Sequence, residues 1–227
     1  MRTVKRVVVT NPEGATKAIA SGLDRALANN MKVLWLVSGG SNIPIELDIL
    51  GRLQHATAEN LTITLADERF VDQDSPDSNW RQLLDDGLGR APVTLLPVIK
   101  DHSLSLRGAA ANFAKRLGDT LELADVVIGQ FGIGEDGHTA GLLPHSPAVD
   151  EGEKLAVGYK GRDFSRITTT AALFDVTDLV ILVAFGRQKL EPLQRMLTQE
   201  GGEDDTPARL LLEARELIVY TDQGVQA

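Results

Sequence analysis

The stretch VLWLVSGGSN, residues 33–42, contains the signal that decides the fold. Its first five residues are apolar without alternation, which is typical of a strand buried on both faces of a parallel sheet. Two glycines then let the backbone turn tightly toward a following helix. The turn predicts one of two structures: a plain connection between strand and helix, or a phosphate cradle formed by Gly39, Gly40, Ser41 and Asn42.

Apolar runs of this kind recur along the chain and alternate with helical patterns. The predicted strands are Lys5–Thr10, Val33–Val37, Leu61–Leu65, Val93–Val98, Asp125–Phe131, Leu155–Tyr159, Ile167–Ala171, Leu179–Ala184 and Leu217–Thr221. Helices are indicated after Asn11-Pro12, around Leu106–Leu117 and after Thr206-Pro207. Strands that alternate with helices predict an α/β fold with a largely parallel sheet. We therefore expect a single Rossmann-like domain over residues 1–227, with helices flanking a mostly parallel sheet and a small additional β segment.

Composition and charge limit the classes of partner. The chain has 23 Lys and Arg against 32 Asp and Glu, a net charge of -9, and no cysteine. Disulfides, thiolate nucleophiles and cysteine-based zinc sites are therefore excluded. The negative charge repels nucleic acid and anionic membranes, so neither is an expected partner. No apolar run approaches the ~20 residues that cross a bilayer, and the N-terminus lacks a signal-peptide pattern, so we expect a cytoplasmic protein.

The charged triplet Asp67-Glu68-Arg69 directly follows the strand predicted at residues 61–65, and Ser78-Asn79 comes shortly after it. Ligands of parallel sheets bind beyond the carboxyl ends of the strands, which makes the triplet a candidate site. Taken by itself, a solvated corner is the more frequent explanation of three charges. As a site, Arg69 would stabilise an oxyanion, and Asp67 would hold a hydroxyl or act as a base.

Residues 132–140, GIGEDGHTA, follow another predicted strand. The glycines match the dinucleotide fingerprint G-x-G-x-x-G, but the next strand does not end in the acidic residue that would bind a ribose, so a dinucleotide site is excluded. The loop instead presents Asp136 and His138. A neutral imidazole is a natural general base for activating water. A loop histidine bonded to the backbone is the alternative interpretation.

A phosphate site in so negative a chain needs locally positive surroundings. The candidates are Arg166, at the start of the strand predicted at residues 167–171, and Lys189, just after residues 179–184. Either residue by itself is typical of a surface charge. His145 lies close to His138 in the sequence, but its spacing from Asp136 fits no metal-ligand signature, so no metal site is predicted.

Four motifs occur in a fixed order: SGGS at residues 38–41, DER at 67–69 with a later SN, GIGEDGHTA at 132–140, and RITTT at 166–170. With them the chain resembles the 6-phosphogluconolactonase family, within the wider glucosamine-6-phosphate deaminase and isomerase-like group. The resemblance extends from about Val33 to the helix expected after Thr206-Pro207. It implies hydrolysis of 6-phospho-D-glucono-1,5-lactone to 6-phosphogluconate, the second step of the oxidative pentose phosphate pathway, with no metal or organic cofactor.

The resemblance also implies roles by position. His138 would be the base that activates water, and Asp136 would orient its loop. Arg69 would face the lactone carbonyl, and Asp67 the sugar hydroxyls or water. The phosphate would be held by Gly39, Gly40, Ser41, Arg166 and Lys189, with Asn42 in the place of the usual threonine.

The chain departs from the lactonase pattern after His138, where TAGLLP at residues 139–144 replaces the common TASLFP. Gly141 removes a serine side chain, and Leu143 replaces phenylalanine. The resemblance places a catalytic glutamate of aminosugar-phosphate deaminases at the position of Leu143, which favours a lactonase over a deaminase or isomerase. A non-catalytic sugar-phosphate sensor is the alternative from another class. We expect a monomer or a small homo-oligomer.

Overall fold

The computed structural model describes residues 3–9 and 11–224, and in this part of the chain it contains ten strands and six α-helices. The strands are β1 Thr3–Val8, β2 Val33–Val37, β3 Leu61–Leu65, β4 Asp67–Arg69, β5 Thr94–Leu96, β6 Val126–Phe131, β7 Ala156–Lys160, β8 Ser165–Thr169, β9 Leu179–Ala184 and β10 Glu216–Thr221. The helices are α1 Pro12–Ala28, α2 Ile43–Arg52, α3 Asn79–Asp85, α4 Leu106–Leu121, α5 Ala171–Val176 and α6 Leu190–Thr198.

Two sheets organise the described residues. Seven strands form a parallel sheet in the order β1-β10-β9-β6-β2-β3-β5, and three form an antiparallel sheet in the order β4-β8-β7. The prediction of a mostly parallel sheet, flanked by helices and accompanied by a small β segment, is therefore confirmed. The order also contains a reversal, because the chain moves outward from β2 through β3 to β5 and then returns to place β6 on the other side of β2.

Both faces of the large sheet are buried, which explains the apolar runs without alternation. In β9, Val180 and Leu182 pack into one hydrophobic core, whereas Ile181 and Val183 pack into another. Successive side chains of a strand point to opposite faces, so a strand between two cores must be apolar at every position. Trp35 of β2 is fully buried in the core that contains Ile181 and Val183, as expected from the sequence.

Several predicted boundaries are corrected by one or a few residues. The first strand begins at Thr3 rather than Lys5, and its predicted end, Thr10, lies outside the described residues. The strand predicted at Val93–Val98 is reduced to three residues, and the strand predicted to run to Ala171 ends at Thr169. The helix after Thr206 is a 3-10 helix over Pro207–Glu213. No helix in the described ranges is long and apolar enough to cross a membrane.

Phe131 and Phe174 test how strongly the core that contains Val180 and Leu182 holds the sheet to its helices. Both rings are fully buried and meet edge to face, with centroids 5.4 Å apart and planes at 83°. We expect Phe131→Ala to lower the free energy of unfolding by about 3–5 kcal/mol, because it removes this contact and leaves a cavity. Urea denaturation measures the loss. The control is Leu123→Ala, whose side chain is 67% exposed and should change stability by less than about 0.5 kcal/mol.

Candidate active site

The site lies where four neighbouring strands of the large sheet end. The strands β9, β6, β2 and β3 are adjacent in that order, and the reversal of the chain falls between β6 and β2. At such a reversal the following loops turn away from each other and leave a crevice beyond the carboxyl ends of the strands. The loop of residues 38–42 follows β2, and the loop of residues 132–138 follows β6.

A cleft of about 1050 Å³ occupies this crevice. Every site residue predicted from the sequence lines it: Gly39, Gly40, Ser41, Asn42, Asp67, Arg69, Asp136, His138, Arg166 and Lys189. Residues from five separate stretches of the chain therefore meet at one surface. Their chemical roles stay predictions, but their common location is a property of the fold.

The turn after β2 depends on its two glycines for different reasons. A Cβ atom on Gly39 would lie 2.5 Å from Cγ of Asn79, so no side chain fits there. Gly40 has a φ of +65°, in the left-handed region that favours glycine. Asn79 also lines the cleft and directs its amide toward the carbonyl oxygen of Asp67 at 3.4 Å. The Ser78-Asn79 motif is visible in the sequence, but Asn79 was not among the predicted site residues.

The charged triplet forms the short strand β4, which no sequence pattern indicated. It pairs with β8 in antiparallel register, so that Asp67 lies opposite Thr168 and Arg69 lies opposite Arg166. This pairing places two guanidinium groups side by side at the wall of the cleft. The ring of Phe164 lies 5.0 Å from Cζ of Arg69 and 5.8 Å from Cζ of Arg166, an arrangement that partly offsets the repulsion between them.

Glu68 has a structural position and does not line the cleft. It is buried, and its carboxylate accepts hydrogen bonds from the backbone N–H of Asn79 at 2.8 Å and of Trp80 at 2.7 Å. The hydroxyl of Ser78 donates a third bond at 3.0 Å. Glu68 therefore stabilises the N-terminus of α3 and ties it to β4. The solvated-corner interpretation is wrong for this residue and for Asp67, which is also buried.

Asp67 is the buried carboxyl group of the cleft. Burial raises its pKa, and the electrostatic influence of the neighbouring basic side chains His138, Arg166 and Arg69 opposes that effect. A buried carboxyl group beside basic side chains can accept hydrogen bonds from a polar ligand, and it can donate one when it is protonated. Successive side chains of a strand point to opposite faces, so on β4 Asp67 lines the cleft whereas Glu68 bonds to α3.

His138 and Asp136 form a pair at the end of the glycine-rich loop. Nδ1 of His138 lies 2.6 Å from Oδ1 of Asp136, and the backbone N–H of His138 donates to the same oxygen at 3.1 Å. The hydrogen bond from the ring lowers the pKa of Asp136 to about 2, so this carboxylate is an ionised acceptor near neutral pH. Nδ1 therefore carries the proton, and Nε2 is left as the basic nitrogen. Any side chain on Gly134 would collide with both residues.

The turn after His138 explains the glycine at position 141. The N–H of Gly141 donates to Oγ1 of Thr168 at 3.0 Å, and its carbonyl accepts from the hydroxyl of Tyr159 at 2.7 Å. A Cβ atom on Gly141 would lie 2.8 Å from Cβ of Thr168 and 3.1 Å from Cβ of Asp67. The turn is thus fastened to the small sheet through its backbone, at a separation that leaves no room for a serine.

Further charged residues of the cleft come from the turn between β7 and β8, which the predicted site did not include. Arg162 and Asp163 line the cleft there, next to Arg166, and Lys160, the last residue of β7, also lines it. A charge-rich turn between two short strands was the signal for them. His145 also lines the cleft, with Nδ1 2.7 Å from Oδ2 of Asp204. Among the described residues, no group of three His, Cys, Asp or Glu side chains is arranged to hold a metal ion.

Comparison with known proteins identifies the family. Residues 12–220 match the sequence model of the family described as glucosamine-6-phosphate isomerases/6-phosphogluconolactonase. The chain belongs to this family. The matched range contains the four motifs on which the resemblance rests and every predicted site residue.

Individual proteins similar to this chain are consistent with the family assignment. A 6-phosphogluconolactonase of Synechocystis sp. is 28% identical over 93% of this chain and 90% of its own length. A 6-phosphogluconolactonase of Pseudomonas aeruginosa is 30% identical over 88% of this chain and 86% of its own. The crystal structure of a 6-phosphogluconolactonase from Thermotoga maritima superposes with a TM-score of 0.82 at 19% identity, covering 97% of this chain and 99% of that chain. This superposition shows that the fold is shared.

The tight contact at Gly141 predicts that a side chain there is costly. We expect Gly141→Ala to lower the free energy of unfolding by about 1–3 kcal/mol, because Cβ would force the turn away from Thr168 and Asp67. Urea denaturation measures the effect. Gly51→Ala is the control, since no atom lies within 4 Å of a Cβ there and alanine stabilises a helix by up to about 1 kcal/mol. Equal stabilities of the two variants would contradict the packing argument.

Proposed function

We propose that the chain hydrolyses 6-phospho-D-glucono-1,5-lactone to 6-phosphogluconate, the reaction that forms the second step of the oxidative pentose phosphate pathway. One observation carries the proposal: the His138–Asp136 pair opens onto the same cleft as Arg69, Arg166 and Lys189. A base for water and cations for an anionic substrate are the two requirements of this reaction. Family membership and the names of the relatives support the choice of substrate.

The phosphate would bind between the loop after β2 and two cations. The turn at residues 39–42 lines the cleft and would supply backbone amides, and Arg166 and Lys189 line it as well. Amides at the start of a helix and fixed cations together form an anion site even in a protein of negative net charge. Holding the phosphate positions C1 of the lactone near His138 and so lowers the entropic part of the barrier.

The chemistry follows from the tautomer of His138. Nδ1 donates a hydrogen bond to Asp136 and keeps its proton, so Nε2 accepts a proton from water as the water oxygen bonds to C1. Arg69 stabilises the negative charge that develops on the carbonyl oxygen. The bond between C1 and the ring oxygen then breaks, and Nε2 returns its proton to that oxygen. Asp67 holds the sugar hydroxyls or the attacking water through hydrogen bonds.

The position of Leu143 distinguishes this reaction from deamination. Leu143 lines the cleft, at the position where the family resemblance puts the glutamate of aminosugar-phosphate deaminases. An alkyl side chain neither donates nor accepts a proton, so ring opening of an aminosugar lacks its acid-base group here. A non-catalytic sensor would not require the His138–Asp136 pair, and its presence favours catalysis.

The proposal is tested by hydrolysis of the lactone generated in situ from glucose 6-phosphate. We expect acceleration over the spontaneous rate that a chelator does not change, and a loss of roughly 10²–10⁴ in kcat for His138→Ala, as for removal of a general base. His102→Ala, a loop histidine outside the cleft, should retain the parent rate. No acceleration by the parent protein would refute the lactonase activity, and an unchanged kcat in His138→Ala would refute the role of His138.

A second variant tests the tautomer. Asp136→Asn replaces an obligate acceptor with an amide that can donate to Nδ1, which would move the proton of His138 to Nε2 and block the base. We expect kcat to fall roughly ten- to a hundredfold with little change in KM. Glu135→Gln, which neutralises the neighbouring exposed carboxylate of the cleft, is the matched control. A similar loss in both variants would indicate a general effect of charge instead.

A further inference from the structure

The side chain of Arg166 already holds an anion that belongs to the chain itself. Nη1 of Arg166 lies 2.7 Å from Oδ1 of Asp163, and Nη2 lies 2.8 Å from Oδ2. This two-pronged geometry is the one with which a guanidinium group binds two oxygens of a phosphate. Both residues line the cleft. The fork proposed to bind the substrate phosphate is therefore occupied by Asp163.

Asp163 is not needed to keep Arg166 in place. Nη1 also donates to the carbonyl oxygen of Phe164 at 3.2 Å, and the ring of Phe164 lies under the guanidinium group. Gly161 permits this packing, because a Cβ there would lie 2.6 Å from the Phe164 oxygen and 2.9 Å from Nη1. The backbone of the hairpin turn and the strand β8 thus fix the position of Arg166 without the carboxylate.

The two partners differ in their freedom to move. The Arg166 side chain is only 9% exposed, whereas that of Asp163 is 57% exposed and lies in the four-residue turn between β7 and β8. The carboxylate therefore covers the accessible side of a fixed cation, where an incoming anion would arrive. The ion pair holds the pKa of Asp163 well below its usual range, so the carboxylate stays ionised throughout the working pH range.

We propose that Asp163 is an internal competitor for the substrate phosphate, and that it determines the affinity of the site by occupying Arg166 until the phosphate displaces it. The role of Arg166 in this inference rests on the proposed function. When a competent state is populated only in part, the apparent affinity falls by that fraction. Asp163 thereby weakens the binding of every phosphorylated ligand, product as well as substrate, and so speeds release of the product.

The test removes the charge of Asp163. In Asp163→Asn we expect KM for the lactone to fall roughly two- to tenfold, with kcat unchanged or lowered because the product leaves more slowly, and the Kd for inorganic phosphate to fall by a similar factor. Calorimetric titration at constant ionic strength measures the phosphate binding without any need for catalysis. Asp163→Ala should lower KM and the phosphate Kd as well. This variant controls for a hydrogen bond that asparagine could still accept from Arg166.

The matched control is Asp48→Asn, which breaks a two-pronged pair with Arg52 on α2, outside the cleft. It should leave KM and the phosphate Kd unchanged. In an Arg166→Ala background, Asp163→Asn should no longer tighten phosphate binding, because the competition requires Arg166.

Three results would overturn the inference: a higher KM and Kd in Asp163→Asn, which would make Asp163 a positioning residue; unchanged values; or no phosphate binding by either protein. Absence of lactonase activity would refute the proposed function, but the titrations with phosphate would still test the competition between Asp163 and an anion for Arg166.

Discussion

The active cleft exists because β2 and β6 are neighbours in the sheet but not in the sequence. The next strand of the large sheet after β2 is β3, and the next one after β6 is β9, on the opposite side. The loops that follow β2 and β6 therefore diverge and do not cover the edge between them. Every group with a proposed role lines the cleft at this edge. The two hydrophobic cores hold the four strands in place from both faces, and the strands in turn fix the points at which the loops begin.

The small sheet solves a second problem, which is how a chain of negative net charge concentrates cations. The pairing of β4 with β8 brings Arg69 opposite Arg166, although like charges at paired positions repel. Each guanidinium group has its own acceptors: the carbonyl oxygen of Asp77 for Arg69, and Asp163 for Arg166. The face of the Phe164 ring supports both. The local charge is therefore positive but compensated, and under the proposed function a ligand phosphate competes with Asp163 for Arg166.

How much of this was predictable differs between the parts of the molecule. The large sheet was predictable because burial on both faces leaves a periodicity that the sequence displays, and β2, β3 and β9 matched residue for residue. The candidate residues lay after strands, and family motifs supplied their roles. The strand β4 was not predictable, because three charged residues become a strand only through pairing with residues almost a hundred positions later. Glu68 was missed because it bonds to residues more than ten positions later, which only the folded chain brings close. Asp163 has a partner only three residues away, but the pairing depends on the conformation of the turn between β7 and β8.

The position of β1 at the edge of the large sheet has a consequence for biosynthesis. Within the described residues, β1 pairs only with β10, so it takes its place in the sheet only after β10 has been synthesised. The central strand β2 has both of its neighbours, β3 and β6, as soon as β6 has been synthesised. By contrast, β1 stays unpaired until β10 has been synthesised, and closing the sheet at that edge must overcome the entropy of the longest sequence separation between paired strands in the described part of the chain.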